Sequence, residues 1–147
     1  EPSGRITHLT YSPARHALAF GTAEGSYRIW DLHKNRLMQT QFGLSAEVKG
    51  LCFSDDGNSI ASGSGNGLIQ VHEVSTGKTK WKVAAHQGPV RSVMFTGGKN
   101  ELVSFGDDNR LAEWNLTSQN FGGELGGGSY TGVAYSLKSG EVFYNQG

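Results

Sequence analysis

The chain has 147 residues, 22 of them Gly, and its 13 basic and 13 acidic residues cancel to a formal net charge of +0. A single Cys excludes an internal disulfide framework, and the zero charge balance makes a general nucleic-acid binder unexpected, since that role needs a basic surplus. No apolar stretch approaches the roughly 18 residues of a membrane span, and the opening residues EPSGRITH carry no signal-type apolar run, so no membrane partner is expected and the setting is expected to be intracellular, cytoplasmic or nuclear.

Glycine at about 15%, against an average of about 7%, comes without a Gly-X-Y period and with only 3 Pro, which points to many tight turns in a small all-β protein. The missing initial Met points to a processed, excised or partial chain. In chain order, the first predicted strand is the alternating segment ITHLTYSP at 6–13, followed by HALAFGT at 16–22. A turn carrying Gly25 leads to a third strand ending in Ile29-Trp30-Asp31-Leu32, and RLMQTQF is the fourth. The set then returns. VKGLCFSD at 48–55, SIASGSG at 59–65, VHEV at 71–74 and KTKWKVA make a second unit. VRSVMFTG at 90–97, ELVSFGD at 101–107 and EWNL at 113–116 belong to a third. Ile6, Val48 and Val90 stand 42 residues apart, as do IWDL, VHEV and EWNL. A fourth copy, YTGVAYSL at 130–137, arrives at a spacing of 40 and is followed by EVFYNQG at 141–147. Gly25, Gly57, Gly67, Gly77 and Gly98 fall at the recurring turns. No segment carries a helical apolar stripe. Four short strands every 40–45 residues is the blade period of a β-propeller.

A search for chemistry finds little. The five His residues (8, 16, 33, 72, 86) show no metal-ligand spacing, and Cys52 has no second thiol. Asp55-Asp56 and Asp107-Asp108 fall in turns, where Asp bonds the backbone. Gly77-Lys78-Thr79 resembles the end of a phosphate loop, but its leading Gly position holds His72 and a strand follows. Gly63-x-Gly65 lacks the last Gly of a dinucleotide fingerprint, because position 68 is Leu. Asn115-Leu116-Thr117 is a formal glycosylation sequon without a secretory context. The run from Gly122 to Ser129 reads as a frayed outer strand with a loop, or as a mobile loop at the rim of a binding surface.

Trp30-Asp31 closing a 42-residue, four-stranded unit resembles the WD40 repeat. The resemblance implies a hydrogen-bonded tetrad in each blade, and by position the third unit holds all four members: His86, Ser104, Asp108 and Trp114. The first unit keeps Trp30 but has Pro2, Phe20 and Glu24 at the other places, and the second has Leu44, Ser62, Asn66 and His72. His72 is then expected to be a packing residue. The expected domain is a partial propeller over 1–147, with blade one about 6–43, blade two about 48–86, blade three about 90–126 and a half blade about 130–147. Such an array of about 3.5 blades leaves raw edges, and propellers close with 4–8 blades. Completion by further chain, by a partner or by a second copy is therefore expected.

The same resemblance implies a partner-binding face at the loops before each first strand and between the second and third strands. It maps to Arg5, Thr7 and Ala23; Glu47, Lys49 and Gly65; Pro89, Arg91 and Asp107; and Ser129 and Thr131. Arg5, Lys49 and Arg91 would form a basic arc that suits an acidic or phosphorylated peptide. The expected function is a non-catalytic scaffold for other proteins or peptides, with no cofactor and no metal. The alternatives are a regulatory or substrate-recognition subunit of an enzyme complex and a reader of acidic or phosphorylated peptides. The Trp-Asp-x-Arg ending of cullin-ligase receptors is absent, because His33 follows Leu32.

Overall fold

A computed structural model describes residues 4–41, 44–96, 100–118, 120–127, 130–136 and 141–146, with side chains described as far as Ser118. The described chain is all-β, as the repeat implies. The first blade is β1 (Ile6–Ser12), β2 (Ala17–Thr22), β3 (Tyr27–Asp31) and β4 (Arg36–Gln41). The second is β5 (Val48–Phe53), β6 (Ser59–Ser64), β7 (Leu68–Glu73) and β8 (Thr79–Ala84). The third is β9 (Val90–Thr96), β10 (Glu101–Gly106), β11 (Arg110–Asn115) and β12 (Asn120–Gly127). A two-stranded sheet of β13 (Tyr130–Ser136) and β14 (Glu141–Gln146) follows. Within each sheet the strands pair with their sequence neighbours, antiparallel throughout. Most of the glycine-rich run from Gly122 lies in β12, while Gly128, Ser129 and the expected turn residue Gly98 lie outside the described residues.

Short polar side chains close the turns. The Asp31 carboxylate accepts the Lys34 N–H at 2.9 Å, and Asn115 Oδ1, at the same repeat position, accepts the N–H groups of Thr117 and Ser118 at 3.0 Å each. This use of Asp and Asn at a strand end is the Asx-turn preference. The motif acid of the first unit therefore terminates a strand.

The core lies between blades. Ala17, Ala19, Tyr27 and Ile29 of the first blade pack with Val48, Leu51, Phe53 and Ile60 of the second. Ala61, Ile69, Val71 and Trp81 of the second pack with Val90, Val93, Phe95 and Leu102 of the third. Close approach depends on a missing side chain. A Cβ on Gly21 would sit 2.5 Å from Val48 Cγ1, and one on Gly63 would sit 2.5 Å from Val90 Cγ1. Polar ties cross the first gap as well. Arg15 Nε donates to the Gly57 carbonyl at 2.6 Å and its Nη2 to Asn58 Oδ1 at 2.8 Å. Tyr27 Oη and His72 Nδ1 share a buried hydrogen bond of 2.9 Å. His72 is thus a core residue joining two blades. Burial pushes its imidazole down to about 4, so it is neutral at pH 7.

One consequence is visible on the first blade. Leu51 and Val93 are 4% exposed, while their counterpart Leu9 is 59% exposed. Phe53 and Phe95 are 7% and 4% exposed, while Tyr11 is 45% exposed. The preceding blade is what covers these positions, and β1 has none against it. The described sheets therefore form an open arc of a propeller.

Gly63→Ala is expected to destabilise the fold by about 1–3 kcal/mol through overpacking against Val90. Gly65→Ala, whose added Cβ would meet nothing nearer than 3.7 Å, is expected to change stability by less than about 0.5 kcal/mol. Denaturant unfolding of the two variants measures this, and equal effects would contradict the close-approach account.

Candidate partner-binding face and the network beneath it

In each complete blade a backbone hydrogen bond joins the loop before the first strand to the turn between the second and third. The N–H groups of Ala23, Gly65 and Asp107 donate to the carbonyls of Arg5, Glu47 and Pro89 at 3.0, 2.8 and 2.9 Å. The segment leaving β8 is fastened to the same turn, since the N–H groups of Ala85 and His86 donate to the Gly67 carbonyl at 2.9 and 3.2 Å. Gly67 has φ +82, and a Cβ there would lie 2.1 Å from the His86 carbonyl oxygen. Only glycine fits this position. The two loop sets therefore meet at one end of the arc.

A second device recurs at that end. Ile6 pairs with Thr22 and His8 with Gly21, so Thr7 is an extra residue in β1. The same shift leaves Lys49 extra in β5, Arg91 in β9 and Thr131 in β13. This corrects the simple alternation expected for the first strands: Val48, Leu51 and Phe53 share a core because the bulge changes phase between Val48 and Gly50. Bulges re-aim side chains near functional surfaces. Sequence alone named these four residues but held no signal for the bulge that sets them apart.

The face is mixed in charge. Lys49 Nζ lies 2.7 Å from Glu47 Oε2 and Arg5 Nη2 lies 3.5 Å from Glu47 Oε1, while Arg91 pairs with Asp107. The hydrogen bond from Lys49 holds the Glu47 carboxyl below its ordinary range against an opposing push from desolvation, helped by the fields of Lys49 and Arg5. Hydrogen bonding and attraction by Asp107 raise the Arg91 guanidinium further. All three cations of the basic arc thus have acidic partners. Arg5 and Arg91 stay 77% and 62% exposed at the side chain. The Thr7 hydroxyl donates to the Val48 carbonyl at 2.6 Å, so it serves the join between β1 and β5. Pro89, Ala23 and Gly65 are half-buried. For Thr131 only the strand position is described, and Ser129 lies outside the described residues.

Below this face, the third blade brings His86, Ser104, Asp108 and Trp114 into one chain of contacts. Trp114 Nε1 donates to Ser104 Oγ at 2.8 Å, Ser104 Oγ lies 2.8 Å from His86 Nε2, and His86 Nδ1 lies 2.8 Å from Asp108 Oδ1. A neutral imidazole satisfies all of these with its proton on Nδ1, given to Asp108, and its Nε2 accepting the Ser104 hydroxyl. Asp108 also accepts the N–H groups of Gln87 at 3.0 Å and Arg110 at 3.2 Å. Desolvation acts to raise the Asp108 carboxyl, but the bonds from Gln87, His86 and Arg110 together carry it below its ordinary value. The order Ser–His–Asp also describes a nucleophilic triad. Here, however, Ser104 is 1% exposed and its oxygen is taken by the Trp114 N–H. No substrate reaches that hydroxyl, and the network fastens strands and turn together.

The other blades use different means. Trp30 Nε1 donates outward to Asn35 Oδ1 at 3.3 Å, and half-buried Phe20 stands at the place of Ser104 with exposed Glu24 at that of Asp108. Pro2 lies outside the described residues. In the second blade Asn66 Oδ1 accepts the Ser64 hydroxyl and the Leu68 N–H, and Asn66 Nδ2 donates to the Leu44 carbonyl at 3.4 Å. Sequence reasoning missed Ser64, whose only signal is its place two residues before Asn66. Ser62 has only a 3.4 Å bond to the Gln70 carbonyl. Cys52 is half-buried, and burial pushes its thiol up, away from nucleophilic character. Among the described residues no three His, Cys, Asp or Glu side chains converge as a metal cage.

Ser104→Ala removes the oxygen that bonds both the Trp114 N–H and His86 Nε2, and is expected to cost about 2–4 kcal/mol through the loss of two buried hydrogen bonds. Ser62→Ala is expected to cost less than about 1 kcal/mol. Thermal and denaturant unfolding distinguish the two, and equal losses would contradict the network reading.

Known proteins show the same pattern. The family model for the anaphase-promoting complex subunit 4 WD40 domain matches residues 39–98. WD40 repeat protein poxJ of Penicillium oxalicum is 35% identical over 98 residues, 65% of this chain and 28% of that protein. WD repeat-containing protein 91 of Danio rerio is 29% identical over 126 residues, 78% of this chain and 17% of that protein. The chain therefore spans less than a third of either relative. The Cps50 (Swd1) β-propeller domain of Myceliophteria thermophila superposes with a TM-score of 0.87 at 18% identity, over 99% of this chain and 50% of that one. The 42-residue unit, its four-stranded sheets and these comparisons agree: the chain is similar to WD40-repeat proteins and folds as an arc of a β-propeller like theirs.

Proposed function

We propose that this chain is a non-catalytic protein-interaction module, holding partner proteins or peptides on the loop face of a propeller within a multiprotein assembly. The observation that carries the reading is the bulge repeated in all four first strands, at Thr7, Lys49, Arg91 and Thr131. It sets one residue per blade apart from the ladder at the end where the loops are fastened together. Pairing would have been simpler without it, so its recurrence favours a use at that surface. The exposed arginines Arg5 and Arg91 are the residue type enriched at interfaces. A regulatory or substrate-recognition subunit of an enzyme complex would use the same face.

A reader of acidic or phosphorylated peptides is the weaker reading. Such a ligand must displace Glu47 from Arg5 and Lys49, and Asp107 from Arg91. The uncovered face of the first blade calls for another blade against it, from the same polypeptide, a partner chain or a second copy. An intracellular setting, cytoplasmic or nuclear, fits the lone free thiol of Cys52.

Arg91→Glu tests the face, with Lys78→Glu, in the turn between β7 and β8 at the far end of the sheet, as the control. In quantitative affinity capture, Arg91→Glu is expected to lose partners by about tenfold or more, while Lys78→Glu retains them. Capture unchanged by Arg91→Glu would contradict the assignment. Capture that collapses between 0.15 M and about 0.5 M salt would favour the acidic-peptide reader.

A further inference from the structure

At the end of the first blade opposite the loop face, the β1–β2 turn meets the β3–β4 turn. His16 closes the first turn in left-handed backbone, with φ 50, and His33 stands in the second. The Leu32 N–H donates to the His16 carbonyl at 3.1 Å, which locks the turns together. Two imidazoles 17 positions apart in sequence, with no metal-ligand spacing, are thereby laid against each other. Their ring centroids are 4.2 Å apart and their planes are inclined by 36°. Tyr11 Oη lies 2.9 Å from His16 Nδ1.

We propose that His16 and His33 together bind one divalent first-row transition ion of the imidazole-preferring class, Zn²⁺, Ni²⁺ or Cu²⁺. Neutral imidazole suits these ions, whereas Mg²⁺ and Ca²⁺ prefer oxygen ligands. Tyr11 supplies the outer contact that a ligating His uses. When His16 Nδ1–H donates to the phenol oxygen, the lone pair is left on Nε2, free for a metal. Among the described residues, no hydrogen bond is made by His16 Nε2 or by either ring nitrogen of His33. With metal–nitrogen bonds of about 2.0–2.1 Å, two imidazoles on one tetrahedral ion have centroids about 5 Å apart. The exposed His33 ring must turn out of the stack to aim a nitrogen lone pair at the ion held by His16 Nε2. No third His, Cys, Asp or Glu joins them, so water completes the shell and the site is weaker than a four-ligand structural zinc. Its effect would be to staple the two turns of the blade whose Trp30 N–H is spent on Asn35 and not on an interior hydroxyl.

The test is calorimetric titration of the untagged chain with NiCl₂ and with ZnCl₂, comparing His16→Ala, His33→Ala, Tyr11→Phe and the control His8→Ala. The His16 and His33 variants are expected to lower the affinity at least about tenfold, Tyr11→Phe to lower it less, and His8→Ala to leave it unchanged. Saturating Ni²⁺ raises the thermal midpoint of the unmodified chain, of His8→Ala and, by less, of Tyr11→Phe, and raises it least for the His16 and His33 variants. Where a variant fails to fold, the imidazole resonances of His16 and His33 in the unmodified chain are followed during the titration, and both are expected to shift together. No heat and no shift, or binding that survives either alanine, would overturn the site.

Discussion

The arc is governed by the fit of β5 and β9 into the space left by a missing side chain in the blade before each. Val48 stands where a Cβ on Gly21 would be, and Val90 where a Cβ on Gly63 would be. Sheets then approach closely enough for Ala19 and Ile29 to bury Leu51 and Phe53, and for Ala61 and Val71 to bury Val93 and Phe95. Apolar burial of this kind is the dominant favourable term in folding, and here it is shared between neighbours. A blade without a neighbour keeps an apolar face in water, as Leu9 and Tyr11 show.

Because the core lies between blades, the polar network inside each blade is free to vary. The third blade joins Trp114 to Asp108 through Ser104 and His86. In the second, an amide bridge through Asn66 takes over, and the Trp position is given to His72, which reaches across to Tyr27. Its buried Nε2 has no partner in this arrangement. An unpaired buried ring nitrogen costs stability, and the packing on both sides of the second blade offsets it. The first blade has neither arrangement, and its tryptophan points its N–H to a turn. The functional surface sits above these differences, held by backbone bonds that recur whatever the side chains beneath are.

Fold class was legible in the sequence because a 42-residue period survives in the turn residues and the apolar first strands even where the Trp-Asp pair is lost. The members of the third blade's network could be placed by position, since His86, Ser104, Asp108 and Trp114 each keep their residue type. What could not be read was phase and partnership. A bulge leaves no mark in composition, so Val48 and Leu51 looked as if they faced opposite sides. The acidic partners of Arg5, Lys49 and Arg91 depend on which loops meet. The Tyr27–His72 contact and the His16–His33 stack join residues whose spacing suggests nothing. Each of these depends on contacts between strands or turns, to which a one-dimensional reading has no access.

Amide hydrogen exchange followed residue by residue tests the central claim, that stability lies between blades. The inner strand β5, covered on both sides, is expected to exchange slowly and β1 markedly faster, although each pairs with a single neighbour in its sheet. Equal protection of β1 and β5 would contradict the account, because it would mean that each sheet is stable by itself and that the cover supplied by a neighbouring blade is dispensable.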